Sequence, residues 1–256
     1  MMRARVAFAG AIHEAAPLER GRDEGRVRLA DGRVLGEEEV VWLPPFDVGT
    51  VIALGLNYAD HLKELAFKPQ DEPLVFLKGP QTLLGHRGFT RRPSDVRFMH
   101  YECELAVIIG RPARRAARAQ AMQHVAGYCI ANDYAGRDYL ENWYRPNLRA
   151  KNRDGATVLG PWFVDAEDVA QPANLDMRTF VNGTLTQQGN TRDLIFDIPY
   201  LIEYLSSFMT LNPGDVILTG TPEGVVNVVP GDEVICEIDG LGRLANTIAA
   251  DAAFAR

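Results

Sequence analysis

Short apolar runs, each closed within a few positions by a turn signal, dominate this chain and constrain it towards a sheet-rich fold. Asp31-Gly32 separates Arg26-Val27-Arg28-Leu29 from Arg33-Val34-Leu35, Asn182-Gly183 closes the run at 175–181, and two more runs flank Asp239-Gly240. Asx-Gly pairs supply the positive φ that two-residue hairpins need. Further strand-like runs lie at 51–55, 73–77, 101–109, 128–131, 158–164 and 216–218. Few segments have helical spacing. Residues 117–126 read as a helix ended by Gly127, residues 198–208 as an amphipathic helix with Pro199 tolerated in its first turn, and Asn57 as the cap of a short helix through Ala66. The expectation is an α+β fold, with Pro44-Pro45 dividing a small β-rich N-terminal unit, 1–45, from a main domain, 46–256.

Charge narrows the partners. The chain of 256 residues carries a formal charge of −7, which argues against nucleic acid or an anionic membrane as partner and means that an anionic substrate needs local positive charge. No run approaches a membrane span and the N-terminus lacks a signal-peptide core, so a cytoplasmic location is expected. The three cysteines, Cys103, Cys129 and Cys236, are widely spaced inside apolar runs and read as buried free thiols.

The run Tyr101-Glu102-Cys103-Glu104-Leu105 sets a specific electrostatic problem. In a strand, Glu102 and Glu104 project from one face and Tyr101, Cys103 and Leu105 from the other. Two adjacent carboxylates need a proton, a basic side chain or a divalent cation. Asp133, at the end of the next apolar run, adds a third acid, and an all-oxygen set suits Mg²⁺, Mn²⁺ or Ca²⁺ with positions left open for water or substrate; carboxylates bridged to arginines are the alternative. Lys151 would offset the negative charge or hold a substrate carboxylate. His61 and Glu64, three apart on a helix, suit an acid/base pair in which the carboxylate orients the imidazole, or are merely exposed polar residues. Thr221, in a Gly-Thr-Pro-Glu-Gly turn, offers a hydroxyl to a carboxylate. The aromatic and basic segment 134–154 is either a binding surface or an oligomer interface.

Taken in order, Gly55-Leu56-Asn57-Tyr58-Ala59-Asp60-His61, Glu102-x-Glu104, Asn132-Asp133, Lys151-x-x-Asp154 and Thr219-Gly220-Thr221-Pro222-x-Gly224 resemble the fumarylacetoacetate hydrolase superfamily. The stretches 132–142, 144–149 and 181–187 are similar to its branch of isomerases and decarboxylases of 4-hydroxyphenylacetate (homoprotocatechuate) degradation. The resemblance implies a mixed β-roll with few peripheral helices. It implies Glu102, Glu104 and Asp133 as ligands of Mg²⁺ or Mn²⁺, with Ca²⁺ a possible substitute. Lys151, with His61 and Glu64 on a lid helix, takes catalytic roles, and Lys78, Arg137 and Thr221 become substrate contacts. The implied reaction is decarboxylation of 5-oxopent-3-ene-1,2,5-tricarboxylate and isomerisation of 2-hydroxyhepta-2,4-diene-1,7-dioate by a homodimer, or with a homologous subunit. The alternatives are acylpyruvate-type C–C hydrolysis and a non-catalytic, metal-dependent ligand-binding module.

Overall fold

The computed structural model describes residues 1–19, 22–60, 71–140 and 147–254. Its larger sheet follows the order Val34–Gly36, Arg22–Leu29, Ala11–Glu19, Met2–Phe8, Thr157–Asp165, Val125–Asp133, Cys103–Ile109, Val216–Leu218, Val51–Gly55, Leu74–Lys78. A second sheet runs Thr184–Asn190, Asp176–Val181, Glu233–Ile238, Gly242–Ala250, Phe89–Arg92. Most neighbours are antiparallel, but Val216–Leu218 lies parallel to Val51–Gly55 and Gly242–Ala250 parallel to Phe89–Arg92, so the sheets are mixed. The expected α+β class with few helices is the one observed.

The hairpins form where the Asx-Gly pairs stand. Val181 pairs with Thr184 across Asn182 and Gly183, whose φ values of 51° and 77° are both positive, as a type I′ turn requires. Arg28 pairs with Val34 around Asp31-Gly32. The helix at 198–208 also forms, as Ile198–Phe208, with Asp197 accepting the Tyr200 amide at 2.9 Å as its cap.

Two local expectations are corrected. Residues 117–126 make a 3-10 segment, Arg118–His124, and Val125 already begins a strand in which Gly127 is an interior residue. Gly127 stands there because of a close approach: a Cβ would meet the Val164 carbonyl oxygen at 2.3 Å and the Phe163 ring at 2.6 Å. Asn57 does not cap a helix. Its side chain donates to the Thr219 and Phe196 carbonyls at 2.8 and 3.1 Å and accepts the Phe196 amide at 2.8 Å. Residues 61–70, with most of the helix expected there, lie outside the described residues, as do Trp143 and Tyr144.

Strand parity divides the core. Cys103, Leu105, Val107 and Ile109 join one large apolar cluster, whereas Ala106 and Ile108 join a smaller one with Ala53, Cys129, Ala131, Leu159 and Leu218. The first 43 residues share the large cluster through Met2, Val6, Val27, Leu29 and Trp42, and Met2 and Arg3 pair with Val164 and Phe163. The three cysteines are free and buried. No helix among the described residues is long and apolar enough to cross a membrane.

Candidate metal centre

The site grows from the smaller cluster by the same parity. Continuing the even positions of Ala106 and Ile108 leads to Glu104 and Glu102, the odd positions of Cys129 and Ala131 lead to Asp133, and Phe76 leads to Lys78. Cys103 pairs with Asn132 and Glu104 with Ala131, which sets Asp133 opposite Glu102. Glu102 precedes the first hydrogen-bonded strand residue, yet its amide donates to the Asn132 side chain at 3.1 Å and its carbonyl accepts the Asp133 amide at 2.9 Å, so the pairing is carried one step further.

Ligand oxygens of Glu102, Glu104 and Asp133 lie within 4.8 Å of one another, and all three residues are buried. Two lysines meet them. Lys78 Nζ donates to Asp133 Oδ1; Lys151 Nζ donates to Glu102 Oε2 and, at 3.0 Å, to Asp133 Oδ2. Glu104 Oε2 accepts the Gly220 amide at 2.5 Å, while Glu104 Oε1 is buried with no hydrogen-bond partner among the described residues. Gly220 reaches this position with φ +96°, a backbone region that favours glycine.

The electrostatics follow from burial. Burial first, then the neighbouring Asp133 and Glu102 charges, push the Glu104 carboxyl well above its ordinary range, against the opposing pull of Lys151 and the Gly220 amide. Burial likewise lowers Lys78, with Asp133 opposing and Lys151 adding to the shift. For Lys151 burial acts downward too, but the carboxylates of Asp133, Glu102 and Glu104 outweigh it and the ammonium is held charged. An orphaned carboxylate oxygen inside an all-oxygen triad is the donor set of a hard divalent cation. With such a cation the three ionised acids are balanced by its two charges and the Lys151 ammonium, and a proton on Lys78 adds the positive charge that suits an anionic ligand.

The surrounding residues are placed less directly. Thr221 follows Gly220, is buried, and accepts from Gln187 Nε2 at 2.9 Å. Arg137 sits on a separate 3-10 turn, Arg137–Tyr139, with its guanidinium 5.6 Å from the Phe98 ring centroid, and among the described residues no hydrogen bond or ion pair joins it to the triad or the lysines. His61 and Glu64 lie outside the described residues. The turn that carries Lys151, Leu148–Lys151, is clamped from outside: Asp95 accepts from Arg153 at 2.8 Å, Arg149 at 3.1 Å and Tyr139 at 3.0 Å, and these bonds hold its carboxyl down at about 2. Asp95 is a contribution that motif spacing did not reveal. Asn132 and Gly220 stand inside the motifs Asn132-Asp133 and Thr219-Gly220-Thr221, but their bonds to the Glu102 amide and to Glu104 come from the folded chain.

A profile described as Fumarylacetoacetate (FAA) hydrolase C-terminal matches residues 50–249. The chain belongs to the fumarylacetoacetate hydrolase family. Within that family it is 59% identical over 220 residues to the 4-hydroxyphenylacetate degradation bifunctional isomerase/decarboxylase of Salmonella dublin, covering 86% of this chain and 51% of the relative. The chain therefore spans about half the length of that relative. A crystal structure of 2-hydroxyhepta-2,4-diene-1,7-dioate isomerase from Mycobacterium marinum superposes with a TM-score of 0.84 at 34% identity, over 98% of this chain and 99% of the other. Fumarylpyruvate hydrolase from Pseudomonas aeruginosa, solved in complex with Mn²⁺ and pyruvate, gives a TM-score of 0.76 at 32% identity, over 82% of this chain and 92% of its own.

Proposed function

We propose that this member of the fumarylacetoacetate hydrolase family decarboxylates 5-oxopent-3-ene-1,2,5-tricarboxylate and isomerises 2-hydroxyhepta-2,4-diene-1,7-dioate, using Mg²⁺ or Mn²⁺ held by Glu102, Glu104 and Asp133. The observation that carries the metal reading is the orphaned, buried Glu104 Oε1 inside the acid triad. The likeness to the isomerase/decarboxylase and to the diene-dioate isomerase supports the choice of substrate.

When bound, the cation supplies a Lewis acid that draws charge from the carbonyl of a 2-oxo acid. The protein's own groups do the rest. Lys151, held charged by the surrounding acids, and Lys78, which donates to Asp133, are both buried at the triad, where they attract the substrate's carboxylates and stabilise negative charge at its ketone oxygen. The Thr221 hydroxyl donates to a carboxylate, and Arg137 receives the distal one. The bond to the departing carboxylate breaks, its electron pair moves through the conjugated chain to the ketone oxygen, and CO₂ leaves. His61, oriented by Glu64, returns a proton to the far carbon of the dienol, which is also the isomerisation step. A homodimer is the proposed assembly, supported by the aromatic and basic composition of 134–154; light scattering at the mass of a single chain would reject it.

Product analysis by NMR tests the reaction. With the tricarboxylate substrate, CO₂ and the diene-dioate are expected only when Mg²⁺ or Mn²⁺ is supplied, and a chelator should stop both. Release of a second acid from an acylpyruvate, without CO₂ from the tricarboxylate, would replace this reading by the hydrolase one, which the likeness to fumarylpyruvate hydrolase favours.

A further inference from the structure

We infer that Gln187 is a positioning residue that makes the Thr221 hydroxyl a dedicated hydrogen-bond donor towards a substrate carboxylate; this rests on the reading of Thr221 as a substrate contact. Gln187 Nε2 lies 2.8 Å from the Pro222 carbonyl and 2.9 Å from Thr221 Oγ1, and its Oε1 lies 2.7 Å from Thr179 Oγ1. A backbone carbonyl can only accept, so the group facing Pro222 must be the NH₂, and the orientation of the amide follows. The same NH₂ then donates to Thr221, and Thr179 donates to Oε1.

The consequence falls on one proton. A threonine hydroxyl whose oxygen already accepts from an amide keeps its single hydrogen for another partner. Thr221 is 3% exposed, and no acceptor for that hydrogen is present among the described residues. It also stands beside Gly220, whose amide meets Glu104 in the acid triad. A hydroxyl held as a donor excludes an ammonium group, which cannot accept, and bonds a charged carboxylate more strongly than a neutral alcohol.

The fold spends a local irregularity on this contact. Thr179 pairs with Gln187 and Phe180 with Leu185, which leaves Thr186 as the extra residue of a β-bulge. Consecutive side chains therefore turn towards the 219–224 segment: Gln187 to Thr221 and Pro222, and Thr186 to Tyr101, whose hydroxyl is also 2.8 Å from the Gly224 carbonyl. In an unbroken strand one of the two would face away.

The test is calorimetric titration of Mn²⁺, then of oxalate into the Mn²⁺-loaded protein, for the parent, Gln187→Met, Thr221→Val and the double variant. Gln187→Met is expected to leave Mn²⁺ affinity within about twofold and to weaken oxalate about tenfold, the scale of one hydrogen bond to a charged group. In the Thr221→Val background the same change should cost nothing further, which a merely structural role would not produce. Unchanged oxalate affinity in Gln187→Met, with a loss in Thr221→Val, overturns the role of Gln187 and leaves that of Thr221 standing. Unchanged affinity in Thr221→Val removes the Thr221 reading itself. If Gln187→Met does not fold, neutron diffraction of the deuterium-exchanged, Mn²⁺- and oxalate-bound protein decides: deuterium on Thr221 Oγ1 directed at oxalate supports the inference, and deuterium directed at Gln187 overturns it.

Discussion

Glu104 shows how one residue can cost stability and create a function. Its carboxyl is fully buried beside two other acids, and among the described residues only one of its oxygens is satisfied. Glu104→Gln keeps an acceptor for the Gly220 amide and removes the repulsion, so the melting temperature should hold or rise while calorimetric Mn²⁺ affinity falls by at least about tenfold. Unchanged Mn²⁺ affinity would remove the triad as the metal site. His86 provides a second prediction, away from the site. It is buried, accepts the Ala245 amide at Nδ1, and faces Glu37 and Arg87, with Trp42 edge-on to its ring. Burial lowers its pKa below the ordinary 6.5, against the pull of Glu37. The folded protein therefore binds fewer protons than the unfolded chain below that value, so His86 contributes stability above it that is lost on acidification. The urea midpoint should fall between about pH 7 and pH 5, and His86→Gln should flatten that slope. A slope unaffected by the substitution would assign it to other groups.

At the scale of elements, the helix Ile198–Phe208 was legible because its amphipathic spacing and a proline in the first turn agreed, and the structure adds Asp197 as its cap. Asp197→Ala should cost about 1 kcal/mol in denaturant unfolding, with Mn²⁺ affinity untouched. Residues 117–126 misled for the opposite reason. Their composition suits a helix, but Val125 and its successors are taken by pairing with Cys103–Ile109 and Thr157–Asp165, and tertiary pairing outweighs a propensity of a few tenths of a kcal/mol per residue. Gly127→Ala tests this directly. With the Val164 carbonyl 2.3 Å from the new methyl carbon, a loss of about 1–3 kcal/mol is expected, whereas a true helix C-terminal glycine would show a smaller effect. Asp215 joins two elements in the same way, accepting from the Thr50 and Asn212 amides at 2.7 Å each.

Across the whole molecule, the N-terminal strands and the main sheet share one apolar cluster, and Trp42 stands at their junction against His86 and Trp162. Trp42→Ala should cost about 3–5 kcal/mol, and unfolding should remain a single transition by tryptophan fluorescence and circular dichroism. Two separated transitions would mean that the first 43 residues unfold independently. Strand parity, the Asx-Gly hairpins and the shared face of Glu102 and Glu104 were determined by the sequence alone, because a period of two and the φ of a turn residue depend only on near neighbours in the chain. Which charges meet was decided by the tertiary structure. Lys78, Glu102, Glu104, Asp133, Lys151 and the Gly220 amide come from distant segments, and the order of strands in the sheet sets them around one orphaned oxygen. That order follows from burying the whole core at once, and no single stretch of residues contains it.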